Sequence, residues 1–376
     1  MAVLGEVIHH RKEFIEVSDF ERYKRCRVQL HAQGIVLRDV VSGAEIKTKK
    51  QQRCRAGDFL VAEIDAKVGG FGIVPNELDG AIVSSHYFLF KINEAILDRS
   101  FLNYYIRIPA FREQVTAQGT TNYAAIRPGD VLGYAIPLPT LNEQGRIVAR
   151  IEELAVKIEE ARTLRRQAIE ACEALLRSIF FHLSSASHTL VPMKELVTLR
   201  EPDVSVAHDK AYHFAGVYCF GKGVFRGSVK SGMDFAYPRL TRLKMGNFVY
   251  PKLMAWEGAL GMVPPECDGL VVSTEFPVFD VDEQRVLPET LDVYFRTPSV
   301  WPLLAGVSTG TNVRRRRLNP TDFLNYRFPL PSMSTQEMLR EVKEKVDSLK
   351  RLQADTSIEL DALLPSILDK AFKGEL

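Results

Sequence analysis

The chain has 376 residues, 46% of them apolar and 26% charged, with a formal net charge of +2. That length is too great for one ordinary core, and the composition excludes disordered and fibrous classes. No run of about 18 apolar residues occurs, so no membrane span is expected. The N-terminus lacks the basic and apolar regions of a signal peptide. The five scattered cysteines, with no C-x-x-C, argue against a zinc knuckle or disulfide framework and suit a reducing cytoplasm.

In chain order, a basic run comes first: Lys47 to Arg55 holds five basic residues and no acid. FLVAEI (59–64) and AIVSSHYFLF (81–90) read as strands, rich in β-branched and aromatic residues and bounded by turn formers. A short helix is expected around 101–108, then a Gly-Thr-Thr-Asn loop at 119–122. PLPTLNEQ (137–144) is a stop followed by a start. Pro137 and Pro139 cannot lie within a helix, and Thr140-x-x-Glu143 is a capping-box pattern. Apolar residues then recur by alternate fours and threes through Ile147, Ile151, Leu154, Ile158 and Ala161. Past polar Arg165 they continue through Ala168, Cys172, Leu175 and Ile179, as in a coiled-coil seam.

The series then returns. NFVYPKL (247–253) and LVVSTEFPVF (270–279) are strands, and 291–295 a short helix. Gly-Thr-Asn at 310–312 is the loop, and PLPSMSTQ (329–336) the junction, with Ser334-x-x-Glu337 as its capping pattern. The second seam runs through Leu339, Val342, Val346, Leu349, Gln353, Thr356, Leu360, Leu363 and Ile367. Gly57, Gly72, Pro75 and Gly80 fall on Gly246, Gly261, Pro264 and Gly269 at a shift of 189 (246 − 57). The PLP elements match at 192 (329 − 137), and ALLRSI with ALLPSI at 188 (362 − 174). Matching glycines with few matching charges imply one backbone carrying two different surfaces.

A helix leaving the first globular part pairs with one returning from the second only if the two are antiparallel. The expected fold is therefore α+β: two mixed α/β domains in pseudo-twofold repeat, separated by two long antiparallel coiled-coil helices. The expected boundaries are 1–139, 140–183, 184–331 and 332–376. The seam from Ile147 to Ile179 would be roughly 50 Å long at 1.5 Å per residue, on the order of 15 base pairs.

Catalytic motifs are scarce. No G-x-x-x-x-G-K-[ST] occurs, and the eight histidines have no metal-ligand spacing. Asn319-Pro320-Thr321-Asp322 partly matches an amino-methyltransferase element but lacks its second proline and aromatic, and reads as the opening of a turn. Asp58, Asp65 and Lys67 imitate a metal-dependent nuclease site, in which two carboxylates hold Mg²⁺. The second copy has Asn247, Met254 and Trp256 at those positions, which argues against it. A scaffold built on the coiled coil is a further alternative.

Segregated positive charge on a repeated frame suits nucleic acid. Candidate DNA contacts in the first copy are Lys47, Lys49, Lys50, Gln51, Gln52, Arg53, Lys67, Thr120, Thr121 and Asn122. In the second they are Arg226, Lys230, Arg239, Arg242, Lys252, Trp256, Thr311, Asn312, Arg314, Arg315 and Arg316. Lys and Arg would neutralise phosphates, while Asn, Gln and Arg match base edges. The run Arg314–Arg317 repels itself unless anions offset it, and one or two of its members could serve structural ion pairs.

A globular part, PLP-x4-Q and a long helix, then the same again ending in ALLPSILDKAFKGEL, resembles the specificity subunit of Type I restriction–modification systems. The resemblance covers nearly the whole chain. It rests on PLPTLNEQ with RIVARIEELAVKIEE, on PLPSMSTQ, on LLPSILDKAFKGEL, on the Gly-Thr loops, and on LGEV and MKELV as domain starts. It implies two target-recognition domains, each reading half of a bipartite site in double-stranded DNA, with the helices fixing the gap. It also implies partners: methyltransferase subunits, expected as two, that bind S-adenosylmethionine, and restriction/translocase subunits that use ATP and Mg. This chain would then be non-catalytic, without cofactor or metal of its own. One departure is that PLPSMSTQ lacks the Glu143-Gln144-Gly145-Arg146 arrangement of the first junction.

Overall fold

The computed structural model describes residues 1–115, 125–185, 189–308 and 316–376, apart from the side chains of 183–185. It divides into two compact units, Met1–Thr163 with Thr356–Leu376, and Leu164–Asp355.

The first unit contains β1 (Ala2–Val3), β2 (Ile8–Arg11), β3 (Phe14–Glu16), β4 (Arg22–Gln29), β5 (Gly34–Ser42) and β6 (Lys50–Arg53). After these come β7 (Phe59–Ala62), β8 (Phe71–Ile73), β9 (Ile82–Val83) and β10 (Tyr87–Ile92). Three short helices follow, α1 (Arg99–Tyr105), α2 (Pro109–Arg112) and α3 (Pro128–Leu132), then β11 (Ala135–Ile136). The strands form sheets ordered β3-β6-β9-β4-β5, β2-β10-β7-β8 and β1-β11.

The second unit contains β12 (Thr189–Pro192), β13 (Val197–Leu199), β14 (Val204–Ser205), β15 (Ala211–Tyr218), β16 (Gly223–Ser231) and β17 (Arg239–Arg242). It continues with β18 (Phe248–Val249), β19 (Gly261–Met262), β20 (Val271–Ser273), β21 (Val278–Val281) and β22 (Arg327–Leu330). Its sheets are ordered β14-β17-β20-β15-β16, β13-β21-β18-β19 and β12-β22, the first unit's topology strand for strand. The long hairpins share a bulge at equivalent places, between Arg25 and Cys26 and between His213 and Ala215. Their turns match too. His31 and Phe220 take left-handed backbone, and the amides that follow them, of Ala32 and Gly221, bond to Gly69 O and Gly258 O.

Helix α4 (Leu141–Ser185) belongs to both units, and α5 (Pro288–Phe295), α6 (Trp301–Val307), α7 (Pro320–Asn325) and α8 (Met333–Asp355) belong to the second. The last helix, α9 (Ser357–Lys373), belongs to the first. The expected C-terminal helix is thus two helices meeting at Thr356. In the first unit α9 runs antiparallel to α4: Arg162 pairs with Asp361 at 2.8 Å, and Leu368 and Ala371 share a core with Val148 and Ile151. Phe372 meets Phe101 and Tyr105 with centroids 5.1 Å apart in each case. In the second unit α8 is antiparallel to α4. Lys350 pairs with Glu173 at 2.7 Å, and Gln353 donates to the Arg165 carbonyl at 3.2 Å while Arg165 donates to the Gln353 carbonyl. The polar interruption of the seam is therefore a reciprocal side-chain-to-backbone pair.

Both PLP junctions are built around one buried glutamine. Gln144 Oε1 accepts from Asp98 N at 2.8 Å, and its Nε2 donates to Ile96 O and Pro139 O, both at 2.9 Å. Gln336 Oε1 accepts from Leu287 N at 2.8 Å, and its Nε2 donates to Arg285 O at 3.3 Å and Pro331 O at 3.1 Å. An amide is the side chain that can accept and donate twice in one plane, and each glutamine fastens a helix start to the loop before the short helix. The N-terminal hydroxyls are Thr140, at 3.3 Å from Glu143 N, and Ser332, at 3.3 Å from Thr335 N. Ser332, not the expected Ser334, is thus the cap of α8. Asn319 stands at the N-cap position of α7, with Pro320 as the first helical residue, and its amide donates to Asp322 at 3.1 Å.

Candidate nucleic-acid interface

The first unit carries a basic cleft of about 400 Å³ beside β4, β5, β6 and β9. Arg25, Arg27, Arg38 and Lys47 line it with Gln51, Ser84 and Tyr87; Glu45 is its acid. Asp39 holds Arg25 through two bonds of 2.7 and 2.8 Å, and lies 3.5 Å from Arg38. Arg27 has no carboxylate partner among the described residues. Burial pushes the Tyr87 hydroxyl pKa up, and the positive charges of Arg38 and Arg27 oppose that shift. Sequence reasoning missed Arg25, Arg27 and Arg38 because strand alternation spreads them along a hairpin instead of gathering them in a run.

The other expected residues of this unit divide. Lys47, Lys50 and Lys67 are exposed and Arg53 is half-buried; Lys50 lies 4.9 Å over the Phe14 ring. Lys49 is held by Asp19 and by the Gly43 carbonyl at 2.7 Å. Gln51 is buried and donates to Thr48 O at 2.6 Å. Gln52 is also buried, and its amide donates to Tyr87 O at 2.6 Å and Ser84 O at 3.3 Å. Both Gln52 bonds tie β6 to the turn after β9, so its donors serve the fold. Thr120, Thr121, Asn122, Thr311, Asn312, Arg314 and Arg315 lie outside the described residues.

The carboxylates of the nuclease alternative do not converge on a metal site; among the described residues no metal-holding cluster occurs. Asp58 is buried, accepts from Arg55 N at 2.7 Å, and pairs with Arg11. Asn247 does the same work in the second unit, accepting from Lys244 N at 2.9 Å and Arg200 Nη1 at 3.0 Å. An amide replaces the carboxylate with the turn and the arginine kept, so Asp58 is a structural acceptor. Asp65 is exposed at the start of a single 3-10 turn.

Residues 7–170 match the family model described as the Type I restriction modification DNA specificity domain. The matched segment falls in the first copy of the repeat. A search of curated proteins finds no match. Among solved structures, the chain is similar to the HsdS subunit from Thermoanaerobacter tengcongensis, at 22% identity and a TM-score of 0.56, covering 100% of this chain and 96% of that one. It is also similar to a chain from a structure titled for complex assembly and conformational transition of the type I R-M system. There identity is 22%, TM-score 0.65, and coverage 100% and 97%. At such identity these two likenesses show the fold, including the second unit.

In the second unit, Arg226, Lys230, Arg239 and Arg242 are exposed. Arg226 lies 3.4 Å from His213 Nδ1, Lys230 sits 5.8 Å over Phe214, and Arg242 donates to Gly269 O at 2.9 Å. Lys252 lies 3.6 Å from Glu275, which also takes Arg317, the structural ion pair expected of the arginine run. Trp256 is half-buried and donates to Leu253 O at 2.9 Å; Arg316 is half-buried.

The second junction has a charged network absent from the first. Asp292 lies 3.3 Å from Arg296 and 3.4 Å from Lys343, and Lys343 lies 2.7 Å from Asp347. Burial pushes the Asp292 carboxyl up, but Arg296 and Lys343 more than offset this and hold it below the usual range. The first unit has Asn103, Arg107, Ile151 and Ala155 in the corresponding places. Arg107 there loses proton affinity through burial, and its Nε has no hydrogen-bond partner among the described residues.

Proposed function

We propose that this DNA-recognition chain reads a bipartite site in double-stranded DNA, one half-site per domain (1–139 and 184–331), with the helices setting the spacer. One observation carries the reading: an identical sheet topology occurs twice with different charged surfaces. A shared frame presents different side chains to an equivalent groove, as two different half-sites require. On this reading the chain works in the cytoplasm with two methyltransferase subunits, which supply S-adenosylmethionine chemistry. Restriction subunits supply ATP- and Mg-dependent cleavage. The test is footprinting with the methyltransferase partner. The expected result is protection of two short tracts at fixed separation, weakening steeply with salt as phosphate contacts are screened. Protection of a single tract, or none, overturns it.

A further inference from the structure

We propose that Arg27 and Arg38 read a guanine in the half-site of the first domain. The inference rests on the DNA-recognition reading above and assigns a chemical task to one cleft. Both side chains are exposed at its rim, and the Arg38 side chain keeps 58% of its accessible surface. A guanidinium fork matches guanine O6 and N7 together, a fit that no other base edge offers in the major groove.

The second unit decides between base and phosphate. Phosphates are the same at every sequence, so groups that bind them can recur in both copies, whereas groups that read bases must differ. Strand register places Gly216 and Gly227 where the first unit has Arg27 and Arg38. Lys47 and Gln51 become Ala236 and Leu240, and Tyr87 becomes Phe276, while Ser84 stays serine as Ser273. The space is also closed: a Cβ on Gly216 would lie 2.4 Å from the Phe225 ring, and one on Gly227 would lie 3.0 Å from Phe214 O. Phe225 is held there by stacking on Tyr218 at 3.8 Å. The frame is kept while every cation of the cleft is lost. Divergence on a constant frame marks a specificity position. Lys47, beside the two forks, is left for the adjoining phosphate.

The experiment uses the full chain assembled with its methyltransferase partner. Binding is measured on the target duplex and on duplexes with each G·C pair of either half-site changed singly to A·T. The wild-type complex is expected to lose roughly 5- to 150-fold at one G·C pair of one half-site, the value of a bidentate contact. In Arg27→Ala/Arg38→Ala that discrimination disappears, and at the other half-site it is unchanged. Arg27→Lys/Arg38→Lys keeps the charge and the salt slope but loses the discrimination, and it decides the matter if the alanine variant folds poorly. Uniform weakening on all duplexes with a shallower salt slope would make the pair phosphate contacts and overturn the proposal. Unchanged discrimination overturns it as well. A wild-type complex with no preferred duplex refutes the DNA-recognition reading itself, a result distinguishable from either.

Discussion

At the residue scale, Gln144 and Gln336 explain why Pro-Leu-Pro and a glutamine five residues later occur together twice. Pro137 and Pro331 each follow directly on the end of a strand, and the amide pins the new helix to the preceding loop. Gln144→Ala leaves the Asp98 amide and two carbonyls without their partner in a buried place. With about 1 kcal/mol net per bond plus unmet desolvation, the expected loss is roughly 2–4 kcal/mol, read by urea unfolding. Gln144→Glu restores the acceptor but cannot donate when ionised, so it should rescue little. Asp292 gives a pH prediction. Its folded pKa is depressed, so its stabilisation is present above the unfolded value, about 3.9, and is lost as pH falls through the folded value. Asp292→Asn should be less stable by on the order of 3 kcal/mol near neutrality. The gap from wild type should narrow as pH falls toward the folded value. A gap that does not change with pH would remove the ion network from the account.

At the element scale, the C-terminal helix completes the core of the first unit, not the second. Removing residues 356–376 uncovers Phe101, Tyr105 and Ile151. Hydrogen exchange should show lost protection in β7, β10 and α1, with β18, β21 and α5 still protected. Loss confined to the second unit would contradict the assignment. Much of this element scale was legible. The repeat, the junctions and the antiparallel pairing all follow from glycine, proline and apolar spacing. The seam was not fully legible. Leu175 and Leu363 are 52% and 45% exposed, while Leu176 is buried and Leu364 half-buried. A 3.5-residue pattern carried past Arg165 and Gln353 drifts against the 3.6-residue turn, and the slip is one residue. The β4–β5 and β15–β16 hairpins were also missed. Their alternation carries charges on one face and mixed residues on the other, so no apolar run marks them, and the cleft they build stayed hidden with them.

At the scale of the whole molecule, two copies of one topology have parted in their electrostatics. The first keeps a basic cleft; the second fills the same place with Phe225. Exchanging residues 22–53 for their counterparts 211–242 should therefore change one half-site and leave the spacer alone. Inserting seven residues, two helical turns, into both α4 and the α8–α9 segment should do the reverse, altering the spacer and keeping both half-sites. Methylation mapping of a host carrying each variant with the partner subunits separates the two effects. The most direct test of the central claim is single-molecule methylation sequencing of DNA from a host carrying the wild-type chain and its methyltransferase partner. The account predicts one bipartite motif, two defined half-sites around a spacer of fixed length, methylated only when this chain is present. A continuous motif, or methylation that persists without the chain, would contradict it.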